Sequence, residues 1–359
     1  MNAKHLLYIA ALIFVLPLQS CFINEDKHIV NDAKGNFEML WKICDEYYCY
    51  FDYKNIDWDS IHTVYEPRVY NGMSDQELFK VCSDMLAELK DGHVNLYYEY
   101  DRSKYWKWFE EYPQNYDERI ILENYFNYDY HKKGGLTYQM LPENIGYIHY
   151  DAFTSDVPDY LLNYILTMFK DCKGLIIDIR DNGGGSVVNV NRLGCRLTKE
   201  TRVHTGYKLY KTGPGHNDFA DTVPCYLSAP GAIMSIDEVT DTEELNNFDS
   251  KRVRFLKPVA VLTNREVYSA ANDFILNVKE LDNVTIIGDR TGGGAGLPIN
   301  FDLPNGWYVR LSTNPTIDLN KQHVDYGIDP DIKVDMAEDA HITGKDAILD
   351  CAIDYLLQQ

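Results

Sequence analysis

The eight cysteines of this 359-residue chain include no C-x-x-C pair, so the usual spacing of a zinc site or a thioredoxin-like redox motif is missing. There is no H-E-x-x-H and no paired His/carboxylate spacing either, and nothing calls for a metal or another cofactor. Cations are scarce: 34 Lys and Arg stand against 55 Asp and Glu, a formal charge of −21. A field of that sign repels phosphate backbones, and no Lys/Arg run makes a local exception, which sets nucleic acid aside as a partner. No apolar run reaches the ~20 residues that span a bilayer, and repeats and low-complexity tracts are absent. At 45% hydrophobic and 25% charged residues the chain is neither disordered nor a multi-span membrane protein, and it is long enough for two folded units. What it has in excess is tyrosine. The 28 residues include one cluster at Tyr47, Tyr48, Tyr50 and Tyr53 and another at Tyr97, Tyr98, Tyr100 and Tyr105. Tyrosine covers apolar surface while keeping one polar tip, so these read as half-buried faces before they read as a ligand platform.

The first segment reads as an address. Lys4 and His5 precede an apolar run over 6–18 that ends in Leu18-Gln19-Ser20-Cys21, which is similar to the lipobox of bacterial lipoproteins. The resemblance implies a signal peptide at 1–20, a lipidated Cys21 and a polar tether over 21–34. The protein would then be held by its N-terminal lipid alone in the bacterial cell envelope, on the periplasmic or surface face of the outer membrane. The alternative is an ordinary cleaved secretory signal. The other seven cysteines, an odd number, give no legible disulfide framework, and most fall on apolar faces.

Hydrophobic periodicity divides the remainder. Phe37, Leu40, Trp41, Cys44, Tyr47, Tyr48 and Phe51 repeat at helical spacing. A second helix begins with a capping box at Ser74 and Glu77, carries Leu78, Val81, Cys82, Met85, Leu86 and Leu89, and stops by Gly92. Residues 35–92 are therefore expected to form a small helical domain. A strand-like alternation follows at Val94, Leu96 and Tyr98 within a connecting β/irregular region, 93–140. From 141 to 359 the pattern alternates, with strands at 145–150, 174–179, 258–262 and 284–287 and helices near 160–169, after Gly185 and over 269–281. Such runs suit a sheet buried on both faces. A polar insertion occupies 201–257, including the acidic stretch 237–244, and the chain closes with the segment 307–312, a loop over 324–332 and a helix capped by Thr343 and Asp346.

Three places could carry chemistry. Ser269 follows the end of a buried strand and precedes a helix, where its Oγ would lie near unpaired backbone N–H groups; serine at that position is also an ordinary helix cap. Gly183, Gly184 and Gly185 end another buried strand and let backbone N–H groups converge, as an oxyanion hole or anion nest requires, or simply make a tight turn. The spacing fits neither a dinucleotide fold nor a P-loop. His93 lies where the helical domain gives way to the strand, and histidine is the usual base for a serine.

The ordered blocks Leu-x-Asp-Gly-His-Val (89–94), Gly-Tyr-Ile (146–148), Gly-Leu-Ile-Ile-Asp-Ile-Arg-Asp-Asn-Gly-Gly-Gly (174–185), Ser-Ala-Ala after Val-Leu-Thr-Asn, Ile-Ile-Gly-Asp-Arg-Thr-Gly-Gly (286–293) and Gly-Ile-Asp-Pro-Asp-Ile-Lys-Val (327–334) resemble the C-terminal-processing, or tail-specific, serine peptidases. The match is nearest to their tricorn-core-like branch found in Bacteroidetes lipoproteins, and it spans about 35–335. It implies a ClpP/crotonase-like α/β core preceded by the small helical domain, and peptide or protein substrates. By the same resemblance Ser269 is the nucleophile, His93 the base, and Ala270 with Gly184 or Gly185 the oxyanion donors. Asp325, or failing it Asp91, would orient the imidazole. Three departures accompany the resemblance. No lysine lies about 25 residues after Ser269, and Lys279 would point away from it at ~100° per residue. Gly92 replaces the serine that can precede the histidine, and Asp325 is one residue out of register. The interval of about 50 residues between His93 and Gly146 is too short for a PDZ module. Retinoid-binding modules use the same scaffold, so a non-catalytic binding lipoprotein is the rival reading.

Overall fold

The computed structural model describes residues 30–228 and 252–359. The signal segment with Cys21 and the acidic stretch 237–244 lie outside the described residues. Among those residues no helix is long and apolar enough to cross a membrane, and the seven cysteines are free thiols, five of them buried.

The large sheet has seven strands in the order β14-β10-β9-β6-β5-β4-β3. They are β3 (His131–Lys133), β4 (Leu136–Leu141), β5 (Ile145–Tyr150), β6 (Gly174–Asp178), β9 (Val259–Thr263), β10 (Val284–Gly288) and β14 (Ile332–Lys333). From β14 to β5 the pairing is parallel, and β4 and β3 add an antiparallel edge. Every residue of β5, β6 and β9 is buried, because helices cover both faces. Alternate side chains divide between two cores as the two-residue period requires. Leu175, Ile177, Val259 and Val261 pack with Leu162 and Ile165 of α5 (Asp159–Met168), Val190 and Leu193 of α6 (Val187–Gly194), and Phe274 and Ile275 of α7 (Ala270–Val278). Ile176, Ala260 and Leu262 pack on the other side with Ile348, Leu349 and Ala352 of α8 (Ala347–Leu357).

A separate core joins α1 (Ala33–Tyr47), α3 (Trp58–Tyr65) and α4 (Asp75–Ala87), through Leu40, Trp58 and Met85, to Leu96, Val309 and Leu311. These last three belong to a four-stranded sheet of order β11-β12-β1-β2, formed by β1 (Asn95–Tyr98), β2 (Asp101–Arg102), β11 (Pro298–Asp302) and β12 (Tyr308–Ser312). The helical domain expected at 35–92 is thus completed by a hairpin from more than 200 residues further along the chain. The described part of the 201–257 insertion pairs β7 (Arg202–Lys208) with β8 (Val223–Ser228), and β13 (Thr316–Ile317) extends that sheet.

Local signals explain the ends. Ser74 Oγ accepts from Glu77 N–H at 3.3 Å and the Glu77 carboxylate accepts from Ser74 N–H at 2.7 Å, closing the capping box. The first helix differs from expectation, since it stops at Tyr47 and the chain re-enters a short α2 (Phe51–Lys54). Tyr48 is extended, and Cys49 N–H donates to Ser312 O at 3.1 Å, which binds the break to β12. Tyr48, Tyr50 and Phe51 are all buried across that break, so aromatic spacing alone mimics a longer helix. At the other end Thr343 closes a separate turn before Gly344 at φ 67, and Asp346 alone caps α8, accepting from the Ile348 and Leu349 N–H groups.

Asp346 also receives Arg180 Nη1 at 3.0 Å, while Arg180 holds Asp178 through Nε at 2.9 Å and Nη2 at 2.6 Å. All three side chains are fully buried. Replacing Asp346 by Ala would leave part of that guanidinium uncompensated and remove the cap, so destabilisation of about 3–5 kcal/mol is expected. Urea titration of the two proteins measures it, and a loss under 1 kcal/mol would mean that this cluster does not anchor α8.

Candidate active site

β9 ends at Thr263, and Asn264 shapes the turn that follows. Its Oδ1 accepts from Asp181 N–H at 3.1 Å and Glu266 N–H at 3.2 Å, and its Nδ2 donates to Asp181 Oδ1 at 2.6 Å. The turn delivers Ser269 with φ 56 and ψ −125, a conformation that costs a residue with a side chain ~1–3 kcal/mol and persists only where the surroundings over-determine it. Here they do: Ser269 N–H donates to Gly293 O at 2.8 Å and Tyr268 N–H to Asn182 O at 3.1 Å. Ser269 occupies the N-cap position of α7, yet its side chain makes no capping bond. The hydroxyl instead lies 3.0 Å from His93 Nε2, so the ordinary capping role open to this serine in the sequence is not the one it plays.

The glycine loop backs onto the same turn. A Cβ on Gly184 would meet Tyr268 O at 2.6 Å and both Ala270 N and Ser269 Cβ at 2.9 Å, at φ 100, so only glycine allows this approach. The Gly184 N–H, however, donates to Asn182 Oδ1 at 3.0 Å, and this removes Gly184 from the two glycines the sequence offered as donors. Among the described residues the Gly185 and Ala270 N–H groups have no acceptor. Gly185 and Ser269 line one cleft, which also takes in His93 and Tyr268 and has a volume of about 470 Å³.

His93 is held differently from the expectation. Asp91 Oδ1 accepts from the His93 backbone N–H at 2.8 Å, and the imidazole rests against the Tyr268 ring, centroids 4.9 Å apart. Its Nδ1 is buried and has no hydrogen-bond partner among the described residues. Asp325, expected to orient the ring, does not reach it: its carboxylate accepts from Ala295 N–H at 3.1 Å and pairs with Lys54 Nζ at 2.9 Å. Asp91 faces the same ammonium at 3.6 Å and accepts from Tyr48 OH at 3.1 Å. The Lys54 side chain is 2% exposed, so a buried cation from α2 joins the His93 loop to the Asp325 loop. Both candidate acids are thus near the base but turned to a lysine.

The electrostatics follow from that burial. Burial opposes the Lys54 charge, but Asp325 and Asp91 outweigh it and hold the ammonium above its ordinary range. Burial likewise pushes Asp91 up, and Lys54, His93 and the His93 N–H pull its carboxyl below the usual range. Asp325 goes the other way, raised by burial and by Asp91 against the pull of Lys54. Burial drives His93 down to about 4, opposed by Asp91 and reinforced by the Arg310 and Lys54 cations, so the imidazole is neutral at ordinary pH. Lys279 is exposed at the far end of α7.

Packing also explains the missing side chain before the histidine. A Cβ on Gly92 would lie 2.6 Å from Trp108 Nε1 and 2.9 Å from Tyr268 OH, and Trp108 stacks on Tyr268 at 4.2 Å. Tyr268, Asn182 and Lys54 are the site residues that sequence reasoning passed over. The first two adjoin singled-out residues and could have been found there, whereas Lys54 carries no local signal beyond ending the first tyrosine cluster. Among the described residues no group of three or more His, Cys, Asp or Glu could hold a metal ion.

Replacing Lys54 by Met should destabilise the protein by about 3–5 kcal/mol, because two buried carboxylates lose the cation they share. Adding Asp325→Asn should restore part of that loss in denaturant titrations, and strict additivity of the two changes would show that they are not coupled.

The sequence profile of Peptidase family S41 matches residues 144–334, and that of the Tricorn protease C1 domain matches 30–87. The tricorn protease homolog of Saccharolobus solfataricus is 24% identical over 68% of this chain and 19% of its own length. The tricorn protease of Thermoplasma acidophilum is 26% identical over 60% of this chain and 17% of its own. The chain therefore spans about a fifth of the length of these curated relatives. A crystal structure of a candidate peptidase from Parabacteroides merdae superimposes with a TM-score of 0.82 at 46% identity, covering 91% of this chain and 98% of that one. Mature CPAF in complex with lactacystin shares the fold at a TM-score of 0.64 and 12% identity, over 91% of this chain and 98% of its own. With its α/β core covering more than half of the sequence, this chain belongs to peptidase family S41.

Proposed function

We propose that the chain is an exported, lipid-anchored serine endopeptidase that cleaves peptide bonds through an acyl-enzyme, with Ser269 as nucleophile and His93 as base. The observation that carries this reading is the 3.0 Å approach of His93 Nε2 to Ser269 Oγ, made by a serine in a strained turn whose hydroxyl is not used as a helix cap. His93 accepts the Oγ proton as Oγ adds to the carbonyl carbon. The Gly185 and Ala270 N–H groups hold the oxyanion. Collapse breaks the C–N bond as His93 returns the proton to the leaving amine, and water then releases the acyl group by the same route. Asp91 positions the base through its backbone. The unpartnered Nδ1 of His93 favours the rival, a ligand- or peptide-binding lipoprotein on the same fold, because a triad histidine ordinarily has an acceptor there.

A fluorophosphonate probe separates the two readings. Wild type should label and hydrolyse peptides, and Ser269→Ala should do neither while its melting temperature stays within a few degrees. Absence of labelling in folded wild type favours the binding protein, and unchanged turnover in Ser269→Ala ends the nucleophile assignment. Lys279→Ala should keep most activity.

The acid limb of kcat/KM should have its midpoint near 4, the value to which burial drives His93, and not near the ordinary ~6.5. Activity requires neutral imidazole, so it falls as pH drops through that midpoint. A limb at 6.5 would mean that the base is not buried as described.

For the anchor, Cys21→Ala should leave the precursor unprocessed or release the protein from the membrane fraction. A fully processed, fully membrane-bound Cys21→Ala form would refute lipid attachment.

A further inference from the structure

Residues 104–114 form an aromatic strap along the Ser269 cleft, and very little holds them down. Both ends are firm. Ser103 N–H donates to Leu96 O at 2.9 Å, and its carbonyl accepts from Asn95 Nδ2 at 3.1 Å. Asn115 is fully buried, its carbonyl accepting from Arg180 Nη1 at 3.1 Å and its Nδ2 donating to Asp335 at 2.7 Å. Between those ends no residue is buried, and the backbone hydrogen bonds of the strap, made around the single turn Lys107–Glu110, stay within it. Among the described residues no side-chain hydrogen bond or ion pair ties it to the body, and Lys107 pairs with Glu111 of the strap itself. Two ring contacts reach the body, both to the serine turn: Trp108 stacks on Tyr268 at 4.2 Å, and Arg265 lies over Tyr112 at 3.9 Å. Hollows flank the strap. It supplies Tyr105, Trp106 and Phe109 to the Ser269 cleft, and Phe109, Tyr112 and Pro113 to a second hollow of about 290 Å³ that reaches Asn264 and Glu266.

Trp108 is the fitted part. A Cβ on Gly292, like one on Gly92, would strike the indole, and one on Gly294 would strike the Tyr268 ring, so bare backbone leaves a slot that two stacked rings fill. Yet the indole Nε1 is buried with no hydrogen-bond partner, a penalty that opening the strap relieves. His93 depends on this stack. Its Nδ1 has no acceptor, and its ring rests against Tyr268, so whatever fixes Tyr268 steadies the imidazole.

We propose that the 104–114 strap is a lid and that Trp108 is a positioning residue: closing seats the indole on Tyr268, which in turn holds the His93 imidazole at the Ser269 hydroxyl. The reaction it serves is the peptidase reading, on which this step rests. Lifting Trp108 frees Tyr268, opens Gly92 and His93 to water and unseats the base. Opening also changes protonation in one direction. The groups facing the imidazole are Asp91 on its own loop, Tyr268 on the serine turn, Lys54 of α2 and Arg310 of β12. Further along the cleft stand Arg102 of β2, Asp181 and Glu266, with Lys104 and Tyr105 on the strap. Burial is the largest influence on His93 and drives it down to about 4. An open strap admits water and carries Lys104 away, and both changes raise the imidazole toward the ordinary ~6.5.

The test titrates the His93 imidazole by NMR, its signals assigned with His93→Gln, in wild type, Trp108→Ala, Trp108→Phe and Tyr112→Ala. Trp108 belongs to none of the three hydrophobic cores, so Trp108→Ala should fold. Its His93 midpoint should rise by about one pH unit or more toward the ordinary value. Trp108→Phe should keep the wild-type midpoint, because a ring still fills the slot, and Tyr112→Ala, which loosens the other contact, should move it the same way by less. Near pH 8, where the imidazole is neutral in every variant, kcat for a cleaved peptide should fall about ten-fold or more in Trp108→Ala, with KM changing less, and recover in Trp108→Phe. An unmoved midpoint or an undiminished kcat in folded Trp108→Ala would overturn the proposal. Should that variant not fold, an unmoved midpoint in Tyr112→Ala overturns it instead. A raised midpoint in a protein whose wild type hydrolyses nothing sinks the peptidase reading alone, whereas hydrolysis by wild type with no response to either substitution sinks this inference alone.

Discussion

One buried ammonium holds the site together. Lys54 leaves the N-terminal core and meets Asp91 and Asp325, carboxylates from segments more than 200 residues apart. Its desolvation is offset only when both carboxylates face it, and theirs only when it is there, so the three segments are ordered together or not at all. Asp91 then fixes the His93 backbone, and the Asp325 backbone oxygen accepts from Gly294 N–H beside the Gly293 carbonyl that receives Ser269. The cluster touches neither Ser269 Oγ nor His93 Nε2, and it holds the two segments that carry them.

A second constraint is steric. Ser269 is kept in the left-handed half of backbone space by bonds to Gly293 and through Tyr268 to Asn182. Gly184 approaches so closely that any Cβ would strike the turn. Asn182 braces this arrangement from below, taking the Gly184 N–H and giving its amide to Tyr150 O at 2.9 Å. The donor that an inspection of the glycine run would choose first is therefore used internally, and its neighbour Gly185 faces the cleft. The imidazole is held by a tilted contact with the Tyr268 ring and by a backbone bond, with Nδ1 left bare, and so is less anchored than the Ser269 turn. Its neutrality comes from burial beside two cations.

The small sheet links these features to the cleft wall. β1 begins two residues after His93, and its partner β12 comes from beyond the serine. The sheet that completes the N-terminal core thus also carries Arg310 on β12 and Arg102 on β2, and folding of that core sets where positive charge meets the cleft.

The elements of the α/β core were legible from the chain because their causes are local. Strands at Ile145–Tyr150, Gly174–Asp178 and Val284–Gly288 are short apolar runs, and Ser74 with Glu77 signs a helix start that no tertiary contact has to supply. Ser269, His93 and the glycine run stood out as strand-end residues with chemical capacity and as parts of recognisable blocks. Which atoms meet was not legible. The break after Tyr47 and the recruitment of β11 and β12 to the N-terminal core depend on partners far away in sequence. Asp325 shows the limit best. As a late acid near a serine's loop it resembles an orienting group, but its partner is a lysine more than 250 residues earlier. Hydrophobic period and capping act within a few residues and can be read along the chain, whereas a buried charge takes its role from whichever opposite charge the packed fold brings within reach.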